Sequence, residues 1–468
     1  MAIRVLKKKG GRGVAKPEGG ARRVSAARRA ASEILRRVEE DEAFAAVLLA
    51  STGEELRADD RALCYELVLG VLRRQLWLDK LIAHYAGREA ASLDAPVRRA
   101  LRLGLYQLRF LTRIPQSAAV NESVNLAHEA RLRSAANFIN AVLRRATREP
   151  NYDPAAHAPD ALERIAIATS HPAWLVARWI DFFGADEAES FARANNDTPP
   201  VAFRVNPLRA AEPEVFARLR EAGVEARPSR LVSGGWRAES AGGAGVASRL
   251  RALASEGAIY TQDEASQLVA QAVGVRDGER VLDVCAAPGS KATQMAARAG
   301  AGALVVAGDL HAHRLRVVRE SAARQGLEQI QAVAYDAEAW PLPFREGAFR
   351  RVLVDAPCTG TGTLRHNPEI RWRITPADID ALAARQRRIL AHAAQAVSPG
   401  GRLVYSTCSV EPEENEEVVA AFLETHPAFE SVRPDVPERL LTKEGAARTW
   451  PHRDDTDGFF VAAFEKRG

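Results

Sequence analysis

Arg280-Val-Leu-Asp-Val-Cys-Ala-Ala-Pro-Gly-Ser-Lys291 reads as a short buried strand that ends near a carboxylate and passes through a Pro-Gly turn into a helix. Four more apolar runs follow, Ala303–Asp309, Gln331–Asp336, Arg351–Asp355 and Arg402–Ser406, with helical spacers between most of them. Short strands alternating with helices bury both faces of a sheet. The pattern after about Gly257 therefore predicts a parallel, doubly wound α/β domain.

Ligands of such sheets sit beyond the carboxyl ends of the strands. Asp283, Asp309, Asp336 and Asp355 stand at four of those ends, and Ser406-Thr-Cys408 stands at the fifth. The first loop matches neither G-x-G-x-x-G nor G-x-x-x-x-G-K-[ST], so the dinucleotide and triphosphate fingerprints both fail. A Pro288-Gly289 turn opening a helix still lets backbone approach a ligand and aims N–H groups at an anion such as an amino-acid carboxylate. Lys291, the only lysine between Lys80 and Lys443, adds a cation there. Asp309 stands where a carboxylate would accept hydrogen bonds from ribose hydroxyls. Any one aspartate at a strand end is more often a turn or helix-cap residue. Asp309, Asp336 and Asp355 together, beside a turn that is not a phosphate loop, predict a nucleoside-bearing cofactor without a diphosphate. S-adenosylmethionine fits that description.

Three of the 4 cysteines, Cys285, Cys358 and Cys408, also stand at strand ends. Cys64 reads as a buried small hydrophobe and Cys285 as packing under its loop. Cys358 and Cys408 adjoin polar loops and are expected to face one cleft. A dithiol redox pair is the rival reading, but no C-x-x-C motif supports it, and no spacing fits a zinc site. A nucleophilic cysteine needs help to ionise at neutral pH. A helix starting at Pro412 would favour the thiolate, while Glu411, Glu413 and Glu414 would oppose it.

Outward from this domain, the sequence of 468 residues, 47% hydrophobic and 27% charged, is long enough for several cores and has no apolar run of membrane-helix length. Residues 1–24 carry 8 Lys/Arg against Glu18 alone and read as a disordered basic arm, either RNA-attracting or solubilising. Residues 25–150 repeat apolar positions at helical spacing and predict a bundle of five to seven helices. Its adjacent arginines, such as Arg28/Arg29 and Arg98/Arg99, are expected mostly at the surface. Residues 151–256 read as a linker with its own small core around Trp174–Phe183, followed by a small α+β domain with a strand at Val201–Val205. Residues 257–468 form the α/β domain. Few cysteines and no signal peptide point to a cytoplasmic protein.

Asp283-Val-Cys-Ala-Ala-Pro-Gly-Ser-Lys291, Asp355-Ala-Pro-Cys-Thr-Gly-Thr-Gly362 and Tyr405-Ser-Thr-Cys-Ser409 resemble the signatures of RNA cytosine carbon-5 methyltransferases. The helical region resembles the NusB-type RNA-binding domain of the bacterial Sun (Fmu, RsmB) branch, most closely at Ala118-Ala-Val-Asn-Glu122 and Asn140-Ala-Val-Leu-Arg144. The resemblance spans roughly residues 25–468. It implies an all-α NusB-like bundle, a small α+β linker domain and a Rossmann-like, S-adenosylmethionine-dependent methyltransferase domain, acting as a monomer on RNA, with 16S rRNA foremost.

The same resemblance assigns roles. Cys285, Ala286, Ala287, Pro288, Gly289, Ser290 and Lys291 would line the S-adenosylmethionine site, with Asp309 on the ribose, Asp336 near the adenine and Asp355 between cofactor and base. Cys408 would add to carbon 6 of cytosine, and Cys358 would assist its release. Apart from the resemblance, Arg365, His366, Arg371, Trp372 and Arg373 follow the Cys358 loop directly and read either as contacts to phosphates and a stacked base or as an ordinary charged loop. Ser290 departs from the family pattern, in which many members have a second glycine. Two alternatives stand beside this reading: the same chemistry on tRNA or another RNA, and a catalytically silent RNA-binding assembly or antitermination factor.

Overall fold

The computed structural model describes residues 24–52, 56–240 and 246–468. The basic arm up to Arg23, the break at Gly53 and the Gly-rich patch from Ala241 lie outside the described residues. The chain divides into two compact units. One holds the residues up to Asp41, Thr52–Val68 and Leu78–Tyr152, and the other holds Glu42–Ser51, Leu69–Trp77 and Asp153–Gly468.

From Ala26 to Arg148 the described residues form seven α-helices, at the top of the expected range. Leu101, Leu105, Ile139 and Leu143 are fully buried in the first unit, on the helical faces that the apolar spacing marked. The adjacent arginines split rather than staying at the surface. Arg29 and Arg144 are exposed, whereas Arg28 is buried and donates from Nε to Gln107 Oε1 at 2.7 Å. Arg99 is buried too and meets Glu39 and Glu40 at 2.8 and 2.9 Å. Neighbouring residues on a helix point about 100° apart, so one of each pair can turn inward when a polar partner awaits it.

In the second unit, the helices Ala161–Thr169, Ala173–Phe183 and Ala185–Ala194 bury their apolar residues in two clusters, of which the larger is shared with other elements. Leu175, Trp179 and Phe191 pack with Leu364 and Val410, which come from the loops beyond the cysteine-bearing strands. A small core of their own does exist, where Ile165, Ala166 and Val176 pack together, but the larger apolar cluster of the segment is the underside of those loops. Next comes a four-stranded antiparallel sheet of β1 (Val201–Val205), β2 (Val224–Pro228), β3 (Gly235–Ser240) and β4 (Ile259–Thr261), in the order β2-β3-β1-β4.

The larger sheet contains β5 (Arg280–Asp283), β6 (Leu304–Asp309), β7 (Ile330–Ala334), β8 (Phe349–Asp355), β9 (Val397–Thr407), β10 (Phe429–Val432), β11 (Ala447–Arg448) and β12 (Phe460–Lys466). The order is β10-β12-β9-β8-β5-β6-β7, with β11 beside β12. The five predicted strands β5 to β9 are all parallel. The chain moves outward from β5 through β6 and β7, then returns to the other side of β5 as β8 and β9. Order reverses at β5/β8, which opens a crevice at the carboxyl ends of these strands. The sheet is mixed rather than purely parallel, because β12 adds antiparallel to β9 and carries β10 and β11 with it. The apolar run Phe459-Phe-Val-Ala-Ala-Phe464 is the sequence signal for that extension.

Candidate active site

The loop after β5 is shaped by backbone. Ala286 N–H donates to Gly308 O on β6, and Gly289 N–H donates back to Ala286 O, both at 2.7 Å. Gly289 has φ +103° and lies where a Cβ would approach Val318 Cα to 3.2 Å, so two independent constraints select glycine. The helix Ser290–Ala299 starts at once, and Thr293 Oγ1 donates to Gly289 O at 2.7 Å. Ser290, the residue that departs from the family pattern, is therefore the first helical residue.

The strand-end carboxylates differ sharply. Asp283 is buried, and neither of its carboxylate oxygens has a hydrogen-bond partner among the described residues. Burial, reinforced by the charge of Asp355, pushes its carboxyl up to about 8. Asp309 is also buried, accepts His311 N–H at 2.9 Å and lies 3.3 Å from Arg314. Asp336 lies beyond the end of β7, exposed, where it caps the turn by accepting Glu338 N–H at 2.9 Å. Burial pushes the Cys285 thiol up, and the residue packs against the sheet core as expected.

Asp355 is the hub between β5's loop and the cysteines. Its Oδ2 lies 2.7 Å from Lys291 Nζ, and its Oδ1 accepts from Ser406 Oγ at 2.7 Å. Burial acts to lower the Lys291 ammonium, but Asp355 outweighs it and holds the group charged, with Cys408 and Asp283 adding to the field. Asp355 and Ser406 are register partners on the parallel strands β8 and β9. Cys358 and Cys408 follow them by three and two residues, and their sulfurs lie 3.4 Å apart. The hydrogen bond with Cys408, together with burial, raises the Cys358 thiol well above its ordinary range. Cys358 therefore stays protonated and can donate its S–H to the neighbouring sulfur.

A buried polar network fixes the two cysteine loops. Glu414 Oε1 accepts from Thr359 N–H at 2.9 Å and from Gln386 Nε2 at 2.8 Å, while its Oε2 accepts from Thr359 Oγ1 at 2.5 Å. Ser409 Oγ lies 3.1 Å from Thr359 Oγ1 and 3.2 Å from Thr361 Oγ1. Gly362 N–H donates to Cys408 O at 2.9 Å, in a spot so tight that a Cβ on Gly362 would fall 2.0 Å from Gly458 O. Composition marked Glu411, Glu413 and Glu414 only as charges opposing a thiolate. In the structure Arg178 pairs with Glu411 at 3.1 Å and Glu413 at 2.8 Å, and Glu414 is the organiser of the loops. Pro412 opens only a short turn, Pro412–Glu414, and the next helix begins at Glu416, so no helix end adjoins Cys408.

The basic run after Cys358 is mostly structural, contrary to the expectation of RNA contacts. Arg371 is fully buried and donates to Ser170 O at 3.1 Å, Asn196 Oδ1 at 2.9 Å and Asn195 O at 3.2 Å. Arg365 is buried against Asp455 at 3.1 Å, and Arg373 donates to Ala43 O at 2.8 Å. Trp372 is partly buried. His366 remains partly exposed, with Nδ1 2.9 Å from Asp457 Oδ1. Arginine at these places anchors loops through carbonyls, which a charge pattern alone does not distinguish from phosphate binding.

Three family models match the chain. One described as 16S rRNA methyltransferase RsmB/F matches residues 270–465, the NusB family matches 25–148, and a ferredoxin-like domain of RsmF/B-like methyltransferases matches 171–242. A Bacillus subtilis (strain 168) protein named probable ribosomal RNA small subunit methyltransferase B is 35% identical over 447 residues, covering 94% of this chain and 98% of that one. The ribosomal RNA small subunit methyltransferase B of Pseudomonas putida is 36% identical, with 87% and 91% covered. Among solved structures, that of PH0851 superposes with a TM-score of 0.80 at 30% identity, covering 94% of this chain and 98% of that one.

Proposed function

This chain belongs to the family of 16S rRNA methyltransferases RsmB/F, and on that premise we propose that it methylates carbon 5 of a cytosine in 16S rRNA through a covalent Cys408 adduct. The observation that carries the reading is the pair of sulfurs 3.4 Å apart beside the Lys291–Asp355 ion pair. The cofactor is S-adenosylmethionine, which when bound supplies an electrophilic methyl group. The site fits it in one observed respect: the buried Asp283, at the mouth of the Gly289 turn, has two carboxylate oxygens with no hydrogen-bond partner among the described residues, as a donor-bearing ligand would need. Cys285 to Lys291 would line the cofactor, Asp309 would hold the ribose hydroxyls and Asp336 would lie toward the adenine.

Carbon 5 of cytosine is a weak nucleophile. Addition of the Cys408 thiolate to carbon 6 turns the ring into an enamine-like species whose carbon 5 can attack a methyl group. Asp355 would hydrogen-bond the base, and its pairing with the Lys291 ammonium would help balance charge that builds on the ring. When the carbon 5 proton is lost, the electron pair re-forms the ring double bond and the carbon 6–sulfur bond breaks. The S–H of Cys358 then donates to the departing Cys408 sulfur, which lowers the cost of expelling a thiolate. The target base must be extruded or unpaired to reach two half-buried thiols.

The test is incubation of 16S rRNA with a labelled methyl donor. The wild-type protein is expected to form 5-methylcytosine and Cys408→Ser none. Product from Cys408→Ser would remove Cys408 from its role.

A further inference from the structure

The small antiparallel sheet has no assigned part in the chemistry, yet it forms one wall of a groove of about 800 Å³. Five arginines line that groove: Arg227 on β2, Arg230 just beyond it, Arg237 on β3, Arg439 in the turn Glu438–Leu440, and Arg453 in the short helix Pro451–Asp454. Glu239, Asp454 and Asp455 are the carboxylates facing them. We propose that this groove binds the phosphodiester backbone of the RNA beside the target base, making the ferredoxin-like sheet an RNA-gripping element in its own right. The inference rests on the reading of RNA as substrate.

The arginines fall into two groups. Arg237 is the anchor: it meets Glu264 at 2.5 Å and Asp455 at 2.9 Å and fixes the floor. The others stand at the mouth. Arg230 is exposed and pairs with no carboxylate among the described residues. Arg227 lies 3.2 Å from Glu239, Arg439 meets Asp454, and Arg453 lies 2.6 Å from Glu187, with all three guanidinium side chains more than half exposed. The Arg227–Glu239 and Arg453–Glu187 pairs are exposed on both sides, contribute about 0–1 kcal/mol and can be exchanged for phosphate at small cost, whereas Arg439 is held by the buried carboxylate of Asp454. The planar guanidinium fork also matches phosphate oxygens in a bidentate manner. A lining dominated by guanidinium and carboxylate groups is unlike the apolar walls of small-molecule pockets.

The groove's wall is tied to the loops that carry Cys358 and Cys408. Asp455, in its wall, also holds Arg365 of the Cys358 loop. Gly458 N–H donates to Gly362 O at 2.8 Å, and Gly362 N–H donates to Cys408 O at 2.9 Å. From Asp455 to Gly458 a chain can span at most about 10 Å. A strand lying in the groove would therefore flank a base entering at Cys408.

The experiment measures binding of transcribed 16S rRNA to the full chain across a range of salt. Arg227→Gln combined with Arg230→Gln is expected to weaken binding roughly 10-fold at low salt and to flatten the dependence of log Kd on log salt by about two. S-adenosylmethionine affinity and Tm should not change. Arg316→Gln combined with Arg319→Gln, on the exposed face of the helix Ala312–Gln325, serves as the charge-matched comparison and should bind as wild type. An unchanged slope in the groove variant, or an equal loss in the Arg316/Arg319 variant, overturns the inference. Groove-dependent binding by a wild-type protein that transfers no methyl group supports the groove and counts against the proposed chemistry instead.

Discussion

Asp355 Oδ1 accepts from Ser406 Oγ at 2.7 Å, a bond between register partners on adjacent parallel strands. That one pairing aligns everything beyond it. The chain leaves β8 toward Cys358 and β9 toward Cys408, so two thiols fifty residues apart come to lie side by side. The same carboxylate holds Lys291 from the β5 loop, which brings cofactor loop, base site and nucleophile to one point.

Replacement of Cys358 by alanine should leave attack at carbon 6 intact and hinder release. Denaturing gels of Cys358→Ala with 16S rRNA and S-adenosylmethionine are expected to show a protein–RNA adduct that wild type does not accumulate. Clean turnover without adduct would assign Cys358 another task.

Asp355→Ala should lower kcat on the order of 10²–10³-fold, the range for removal of a group that steadies transition-state charge. It also leaves the buried Lys291 ammonium without its partner, a loss of roughly 3–5 kcal/mol. The double variant with Lys291→Met should recover much of the Tm lost in Asp355→Ala while remaining inactive. Recovery of neither, or of both, would contradict this division of roles.

Glu414 receives three donors in a buried setting. Glu414→Gln keeps one oxygen for Thr359 N–H and Gln386 but presents an NH2 to the Thr359 hydroxyl, which must reverse to accept it, and all three bonds lose their charge assistance. The expected cost is roughly 1.5–3 kcal/mol, read as a lower Tm. Methylation should fall as well, because the Thr359 loop carries Cys358.

Asp283 supplies a pH signature. Its folded-state carboxyl, raised to about 8 by burial, stays protonated while the unfolded carboxyl ionises near 4. Over that interval the folded state binds the extra proton, so this group's contribution is full below about pH 4, declines as pH rises, and is lost above about pH 8. Asp283→Asn removes the decline. Thermal unfolding of the variant without cofactor is expected to gain stability over wild type at pH 8 and little at pH 4. Parallel curves for the two proteins would contradict it.

Much of this architecture was legible in the sequence because its signals are local. Strand β5, its Pro288-Gly289 turn, the strand-end aspartates and the helical region each declare themselves within a dozen residues. What escaped was settled by tertiary partners. Glu414 looks like any acid after a proline until Thr359 and Gln386 arrive from other elements. Arg371 looks like a phosphate ligand until Ser170, Asn195 and Asn196 supply acceptors. The antiparallel strands beside β9 had a visible apolar run at Phe459–Phe464, but its partner lies more than fifty residues upstream.

The central claim is that Cys408 forms a bond to carbon 6 of the target cytosine. RNA carrying 5-fluorocytosine tests it most directly, because fluorine at carbon 5 blocks the proton loss that frees the enzyme. Mass mapping of the trapped complex is predicted to place the nucleotide on the peptide containing Cys408. A nucleotide on Cys358, or no trapped complex from enzyme that methylates normal RNA, would contradict the account.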